Sequence, residues 1–366
     1  MRIMIAGEST AGHLAPIIAV YDSLKSKLGS SPSSERAEFM LISTESDFLK
    51  AFVNDTDIKY KSLKSGNKKK ARLGLLAAIL NLCKVTYWVF DYMPDVIFVK
   101  GDYISLPVAF AGKLFRVPVL MHESDSVPSK ANKLVSRFSK RIAISFKQTE
   151  ALYPSERVFF SGNPVSDFVI KASREESRKK FMIDGDKPVL FIMGGSKGAR
   201  EINNLIIELL PDLLQKYEII HQCGIGDYEK LRSKVAQMNI AFLDDYHLFP
   251  FLKQSLANAY AACDLVISRA GANTVAEIML VGKPSILVPL STAESDRQTQ
   301  NAFYYSEAGA AVLLNEKNLK PHLFMNAIDS IFEDKLKVME MMRMARQLAV
   351  PDAADKVADE IIRIAK

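Results

Sequence analysis

Met1-Arg2-Ile3-Met4-Ile5-Ala6-Gly7-Glu8-Ser9-Thr10-Ala11-Gly12-His13-Leu14-Ala15-Pro16 opens the chain with an apolar run, a turn of small residues and the start of a helical pattern. Ile3–Ala6 reads as a buried strand, because a strand covered on both faces shows continuous rather than alternating hydrophobicity. The run is too short for a secretory signal. A helical pattern over Ala15–Leu28 follows, so the segment is strand, turn and helix, the first part of a crossover. The same plan repeats outward from it. Phe39–Ile42, Val96–Val99, Val117–Met121 and Arg141–Ile144 read as further buried strands, with a helix over Ser129–Phe138. This alternation predicts a doubly wound parallel α/β sheet.

The pattern then restarts. Pro188–Met193, Ile219–Gln222, Leu265–Ser268 and Ser285–Val288 form a second strand series. Gly162-Asn163-Pro164-Val165 and the charged helical run Ser173–Lys180 stand between the two series, placing the junction at about 162–166. The expected domains are 1–164 and 165–351, with the last helix, Ala353–Ala365 in segment 352–366, crossing back to the first. Asp352 is its expected N-cap. Two Rossmann-like halves of this kind direct the carboxyl ends of their strands toward one cleft.

The chain has 366 residues, enough for two cores, and 48% hydrophobic with 25% charged residues excludes a disordered chain. A net charge of +6 suits phosphates or an acidic membrane surface and is too mild to call for nucleic acid. Cys83, Cys223 and Cys263 are odd in number and widely spaced, which argues against a disulfide framework or a zinc site and for a cytoplasmic protein.

Four turns carry the chemistry. In Gly7–Pro16, small residues let backbone approach a ligand, and the helix that follows offers free N–H groups. His13 at its start reads either as a local cap or as a general base, for which an imidazole is suited near neutral pH. The turn is not GxGxxG, which counts against a dehydrogenase. Gly194-Gly195-Ser196-Lys197-Gly198-Ala199-Arg200 follows a strand, opens a helix and suits a diphosphate; it lacks the spacing of an ATPase P-loop. Ser268–Ile278 repeats the arrangement and places Glu277 early in a helix, as a ribose acceptor or a surface acid. Asp296–Ala302 is an amide-rich segment suited to sugar hydroxyls. In the first half, Gly101–Pro107 and His122–Asp125 also follow strands. Asp184-Gly185-Asp186 and Asp244-Asp245 read as solvated turns, and no metal is assigned to either.

Together these segments resemble the MurG-type N-acetylglucosaminyltransferases of glycosyltransferase family 28. The resemblance runs from Thr10–His13 and Pro16 through Tyr103–Pro107, His122–Asp125, Gly162–Val165, Gly194–Arg200, Ser268–Ile278 and Gln298–Ala302 to Pro351–Ala354. It implies a GT-B fold with the nucleotide-sugar held mainly by the second domain. It implies that Ser196 contacts the diphosphate, Glu277 holds the ribose, and Ala272, Asn273, Thr274, Val275 and Ala276 line the nucleotide site. Gln298 would read the sugar hydroxyls and Leu243 would lie near uracil. Thr10, Ala11 and Gly12 would meet the donor from the first domain, with His13 as the base. Tyr103, Asp125, Ser166 and Asn301 fall on the acceptor or sugar side. The implied reaction is an inverting transfer from UDP-N-acetylglucosamine to a lipid-linked muramoyl-pentapeptide, with no metal or other cofactor, at the inner face of the cell membrane.

This sequence departs from the family pattern in several places. Glu8, Ser9 and Ala11 stand in a turn that is usually glycine-rich, and Asp102 replaces a usual glycine. Ser166 stands where arginine is common, removing a charge-assisted diphosphate contact that Lys197 or Arg200 would replace. Asp125 stands where many members have asparagine, and Arg297 is also unusual. A related transferase with another sugar or acceptor, a UDP-sugar epimerase and a non-catalytic nucleotide-sugar binder are the alternatives. Acceptor-dependent UDP release, or free 2-epimer, separates them.

Leu73–Phe90 is strongly apolar, contains the only tryptophan, Trp88, and follows Lys68, Lys69, Lys70 and Arg72. Asn81 and Lys84 argue against a membrane span. Leu75, Ile79 and Leu82 are expected to face the core, leaving Leu76, Leu80, Cys83 and Tyr87 for an anionic membrane surface.

Overall fold

Seven parallel strands build the first sheet: β1 (Arg2–Ala6), β2 (Glu38–Ser43), β3 (Lys59–Ser62), β4 (Val96–Val99), β5 (Val119–Glu123), β6 (Arg141–Ile144) and β7 (Val158–Phe160). Their order is β3-β2-β1-β4-β5-β6-β7. Six more, β8 (Val189–Met193), β9 (Glu218–Gln222), β10 (Tyr246–Phe249), β11 (Leu265–Ser268), β12 (Ser285–Leu287) and β13 (Ala311–Leu313), build a second parallel sheet in the order β10-β9-β8-β11-β12-β13. The computed structural model describes residues 1–29, 37–63, 71–195, 198–290 and 296–365, with backbone alone at 11, 48 and 71–77. The chain forms two compact units, Met1–Ser166 with Pro351–Lys366, and Asp167–Val350.

Period-two alternation splits the first unit's core between the faces of its sheet. Ile3, Ile5, Leu41 and Phe98 pack with Ile17, Tyr21 and Leu24 of helix Ala11–Gly29. Met4, Ala6, Ile97 and Val99 pack on the other face with Val85 and Val89 of helix Ala71–Tyr92 and Val108 of helix Ser105–Leu114. In the second unit, Ile202, Ile206, Leu210 and Leu213 of helix Arg200–Lys216 cover Leu190, Ile219 and Leu265.

The expected central strands are present, with one shifted. The fifth strand begins at Val119 rather than Val117 and runs through His122 and Glu123. Pro118 has no N–H to give; its carbonyl accepts from Ile97 N at 2.9 Å just before the strand. The helix expected over Ala15–Leu28 starts at Ala11. Along Ala71–Tyr92 the core stripe is Val85, Val89 and Tyr92, whereas Ile79 is half exposed, contrary to its expected core position. The stripe therefore lies about three turns later than the pattern suggested. The side chains of Leu75 and Leu76 fall outside the described residues, as do Lys68, Lys69 and Lys70. Among the described residues, no helix is long and apolar enough to cross a membrane.

The helix Ala353–Ala365 completes the first unit. Val357, Ala358, Ile361 and Ile364 enter the core beside helix Ala11–Gly29, and Arg141 Nε donates to Glu360 Oε1 at 2.5 Å. Ile361→Ala should destabilise the first unit by about 2–5 kcal/mol. Hydrogen exchange should then accelerate in β1 and β4 while β8 and β11 keep their protection. Unchanged protection in β1 would contradict this packing role.

Candidate active site

In both sheets the strand order reverses at one place, between β1 and β4 and between β8 and β11. At such a point the crossovers leave in opposite directions and open a crevice at the carboxyl ends of the strands. The turns after β1, β4, β8 and β11 lie at these two places, while His122–Asp125 and Asp296–Ala302 follow the neighbouring strands β5 and β12.

In the first unit, β1 leads through Gly7–Thr10 into helix Ala11–Gly29. A Cβ on Gly7 would come within 2.7 Å of Ile17 Cδ1 and 3.2 Å of the Lys100 Cβ, so a larger residue would have to displace the Ile17 side chain. The Thr10 carbonyl accepts from His13 N and Leu14 N, each at 2.9 Å, closing the first turn. His13 is half-buried; its Nδ1 has no hydrogen-bond partner and lies 3.7 Å from Glu8 Oε2 and 3.8 Å from Asp102 Oδ2. Thr10 is half-buried and Gly12 is exposed.

After β4 the chain passes through Gly101 and Asp102, at φ 83° and 141°. A Cβ on Gly101 would meet the Asn132 amide at 2.6 Å. Asp102 is buried: its Oδ2 accepts from Glu8 N and its Oδ1 from Ser105 N, both at 2.7 Å. Its carboxylate thus joins the β4 turn to the β1 turn. Tyr103 beside it is 68% exposed.

A buried polar cluster backs these turns. His122 Nε2 faces the Gly162 carbonyl at 3.1 Å, and Nδ1 lies 3.2 Å from Lys100 Nζ. Burial, reinforced by the Lys100 charge, holds His122 neutral, so Nε2 donates and Nδ1 accepts. Burial likewise brings Lys100 down to about 8. Glu123 takes Asn132 Nδ2 at 2.7 Å and the Tyr153 hydroxyl at 3.0 Å. Burial and then the Asp125 charge raise it to about 7 against those bonds. Asp125 is half-buried, its N–H donating to Glu123 Oε1 at 3.2 Å, and Ser166 is half-buried at the end of the unit.

In the second unit, β8 turns through Gly194, Gly195 and Gly198 into helix Arg200–Lys216. A Cβ on Gly198, at φ 77°, would strike the Cys223 carbonyl at 2.3 Å, and one on Gly194 the Ala199 nitrogen at 2.4 Å. Ser196 lies outside the described residues. Neither this helix nor Ala272–Val281, which follows β11, has a side-chain N-cap bond. Two helix N-termini on adjacent strands therefore present partial positive charge at one sheet edge. Glu277 Oε2 accepts from the Tyr260 hydroxyl at 2.9 Å, and that hydroxyl is 3.4 Å from Met193 Sδ at the end of β8. Burial pushes Glu277 up to about 7, and the Tyr260 hydrogen bond only partly offsets it. Ala272 is buried, while Asn273, Thr274 and Ala276 are half-buried along the same helix. Gln298 Oε1 accepts from Leu290 N at 3.2 Å.

Three sequence expectations are corrected. Leu243 precedes β10 at the opposite edge of the sheet from the turns, and it packs against the core. The Lys187–Asp245 ion pair at 2.7 Å marks the same edge. The backbone at the carboxyl edge, beside the turns, is instead Phe249–Leu252, where Cys223 N donates to Phe249 O and Leu252 N donates to Gln222 Oε1. Val275 is 0% exposed, so its side chain cannot line a site. Asn301 is also 0% exposed and donates to the Ala270 carbonyl at 3.3 Å, tying down the β11 turn rather than facing a sugar. Asp102 and Tyr260 bond to residues of these turns, and the motif reading assigned neither a role. Asp102 stood out only as a departure, and Tyr260 looks like any core aromatic in sequence. Among the described residues, no three His, Cys, Asp or Glu side chains gather to hold a metal.

The N-terminal domain model of glycosyltransferase family 28 matches residues 3–144, and the C-terminal domain model of that family matches 189–357. A UDP-N-acetylglucosamine–N-acetylmuramyl-(pentapeptide) pyrophosphoryl-undecaprenol N-acetylglucosamine transferase of Acetivibrio thermocellus is 32% identical, over 100% of this chain and 99% of its own. One of the same name from Listeria monocytogenes is 30% identical over 100% of both. Among solved structures, Acinetobacter baumannii MurG superposes with a TM-score of 0.74 at 26% identity, covering 99% of each chain. A UDP-GlcNAc 2-epimerase from Neisseria meningitidis reaches 0.71 at 14% identity, over 99% of this chain and 100% of that one, a likeness of fold alone.

The raised Glu277 carboxyl makes a stability prediction. Its folded value, about 7, lies above the ordinary 4.5. Folding therefore favours its neutral form, and that contribution is lost as pH rises from 4.5 through 7. Glu277→Gln should accordingly stabilise the second unit at pH 8, on the order of 1–3 kcal/mol, and much less at pH 4. Urea unfolding at both pH values checks this; a destabilised variant at pH 8 would contradict it.

Proposed function

The chain belongs to glycosyltransferase family 28, and we propose that it moves N-acetylglucosamine from UDP-N-acetylglucosamine to the C4 hydroxyl of undecaprenyl-diphospho-muramoyl-pentapeptide, a step of peptidoglycan synthesis. What carries this reading is the likeness, along the whole length of both chains, to transferases bearing that one activity.

In this reading the acceptor oxygen attacks C1 of the sugar as the bond from C1 to the UDP phosphate oxygen breaks. A single displacement inverts the configuration at C1. His13 takes the acceptor proton, with Tyr103, Asp125 and Ser166 on the acceptor side. Thr10, Ala11 and Gly12 meet the donor through backbone. Glu277 as a carboxylate accepts both ribose hydroxyls, and Gln298 reads the sugar. The Phe249–Leu252 backbone takes the uracil place that Leu243 cannot. Negative charge on the departing diphosphate is met by Ser196, by amides of Gly194–Gly198 and by the positive end of helix Arg200–Lys216. We propose that these groups serve without a metal.

The lipid-linked acceptor calls for a peripheral site on the inner face of the membrane. The described surface that suits it lies between helices Ala71–Tyr92 and Ser105–Leu114. Tyr87 (63% exposed), Phe90 (58%) and Phe110 (39%) border an apolar groove of about 500 Å³ there. Exposed aromatics with flanking cations are typical of interfacial binding.

His13→Ala should lower kcat by roughly 10²–10⁴-fold. UDP binding to the same variant, measured calorimetrically in EDTA, should match that of the wild type. An unchanged kcat would give the proton to another group, and binding lost on chelation would refute the metal-free reading. Phe90→Asp/Phe110→Asp should abolish co-sedimentation with anionic vesicles while leaving UDP binding intact. Equal sedimentation of the two proteins would move the docking surface elsewhere.

A further inference from the structure

The geometry points to Asp102 as a positioning residue for His13: its buried carboxylate fixes the imidazole with the proton on Nδ1, so that Nε2 is the nitrogen that takes the acceptor proton. The inference rests on the reading of His13 as the base.

Three observations converge on it. The Nδ1 of His13 is buried without a hydrogen-bond partner, an arrangement that costs free energy unless something nearby satisfies it in the working state. The Oδ2 of Asp102 lies 3.8 Å away, and a carboxylate oxygen that already takes Glu8 N at 2.7 Å still has a second lone pair. A tightening of under about 1 Å makes the bond, and contacts of this kind are commonly long before substrate binds. Finally, Asp102 holds φ at 141°, where a side chain is strained, and it keeps that conformation because Glu8 N and Ser105 N both anchor it. Strain retained beside a functional group marks a residue needed for more than packing.

Glu8 is the competing acid, 3.7 Å from the same nitrogen. Its side chain is 38% exposed and has no such anchoring, whereas that of Asp102 is 6% exposed. A water-screened, rotatable carboxylate fixes an imidazole poorly. Lys100, whose charge interacts with Asp102, is itself directed at His122, so it does not compete for the imidazole.

The test is a double-mutant cycle on the full chain, with UDP-N-acetylglucosamine and a lipid-linked acceptor analogue. Asp102→Asn should lower kcat on the order of 10–10²-fold, less than removal of the base, with KM for the donor within about threefold. In the His13→Ala background it should cause no further loss, because a residue acting through His13 has nothing left to act on. Glu8→Gln should stay within about threefold of wild type. An Asp102→Asn loss that multiplies with that of His13→Ala would mark a merely structural role and overturn the proposal. Imidazole ¹⁵N chemical shifts of the unsubstituted protein supply a check that no folding defect affects. Neutral His13 should carry its proton on Nδ1, and a predominant Nε2–H tautomer would overturn the proposal. If His13→Ala alone leaves kcat unchanged, it is the assignment of the base that fails.

Discussion

Parallel strands admit no hairpins, so each connection has to cross a face of the sheet and re-enter from the same end. Every βα turn in a unit therefore emerges at one edge, and every αβ return at the other. The rest of this molecule follows from that constraint. It concentrates the glycine turns, the uncapped helix ends and the polar side chains at the carboxyl edge of each sheet. It leaves the opposite edge to ion pairs such as Lys187–Asp245. The reversal of strand order then selects one position along that edge, β1/β4 in one unit and β8/β11 in the other.

This also explains what could be read from the sequence. Strands buried on both faces, such as Val96–Val99 and Val189–Met193, are written as unbroken apolar runs. Strand β3, Lys-Tyr-Lys-Ser, lies at the sheet edge with alternate residues exposed, and its composition gives no apolar run to find. His122 and Glu123 hid the end of β5 because they are polar, yet Lys100, Asn132 and Tyr153 satisfy them inside the protein. The turns of the site were legible because tight backbone approach restricts residue choice, as at Gly198. Which side of a helix faces the crevice was less so: Val275 sits beside half-buried Thr274 and Ala276 but points into the core. Leu243 was misplaced because motif spacing does not reveal on which side of β10 an inserted stretch falls.

The site also runs against the stability of the protein that carries it. Glu123 and Glu277 both titrate near 7, and Lys100 near 8, because burial disfavours their charged forms. Each would be more comfortable as a neutral isostere. Asp102 adds backbone strain to this list. A hydrophobic core alone would select none of these groups, and their gathering beside the turns is a better guide to function than any one motif.

The return of residues 351–364 to the first unit has a consequence for synthesis on the ribosome. The second unit is contiguous, from Asp167 to Val350, and holds all of its own core residues once that stretch has emerged. The first unit, although made earlier, leaves Ile17, Tyr21 and Leu24 without their partners Val357, Ile361 and Ile364 until synthesis has passed beyond them. Order of translation and order of completion are thus reversed. The amino-terminal unit waits with an open apolar face while roughly 180 further residues are added, on the order of 10–40 s at ordinary elongation rates. For that interval this face is a binding surface for chaperones.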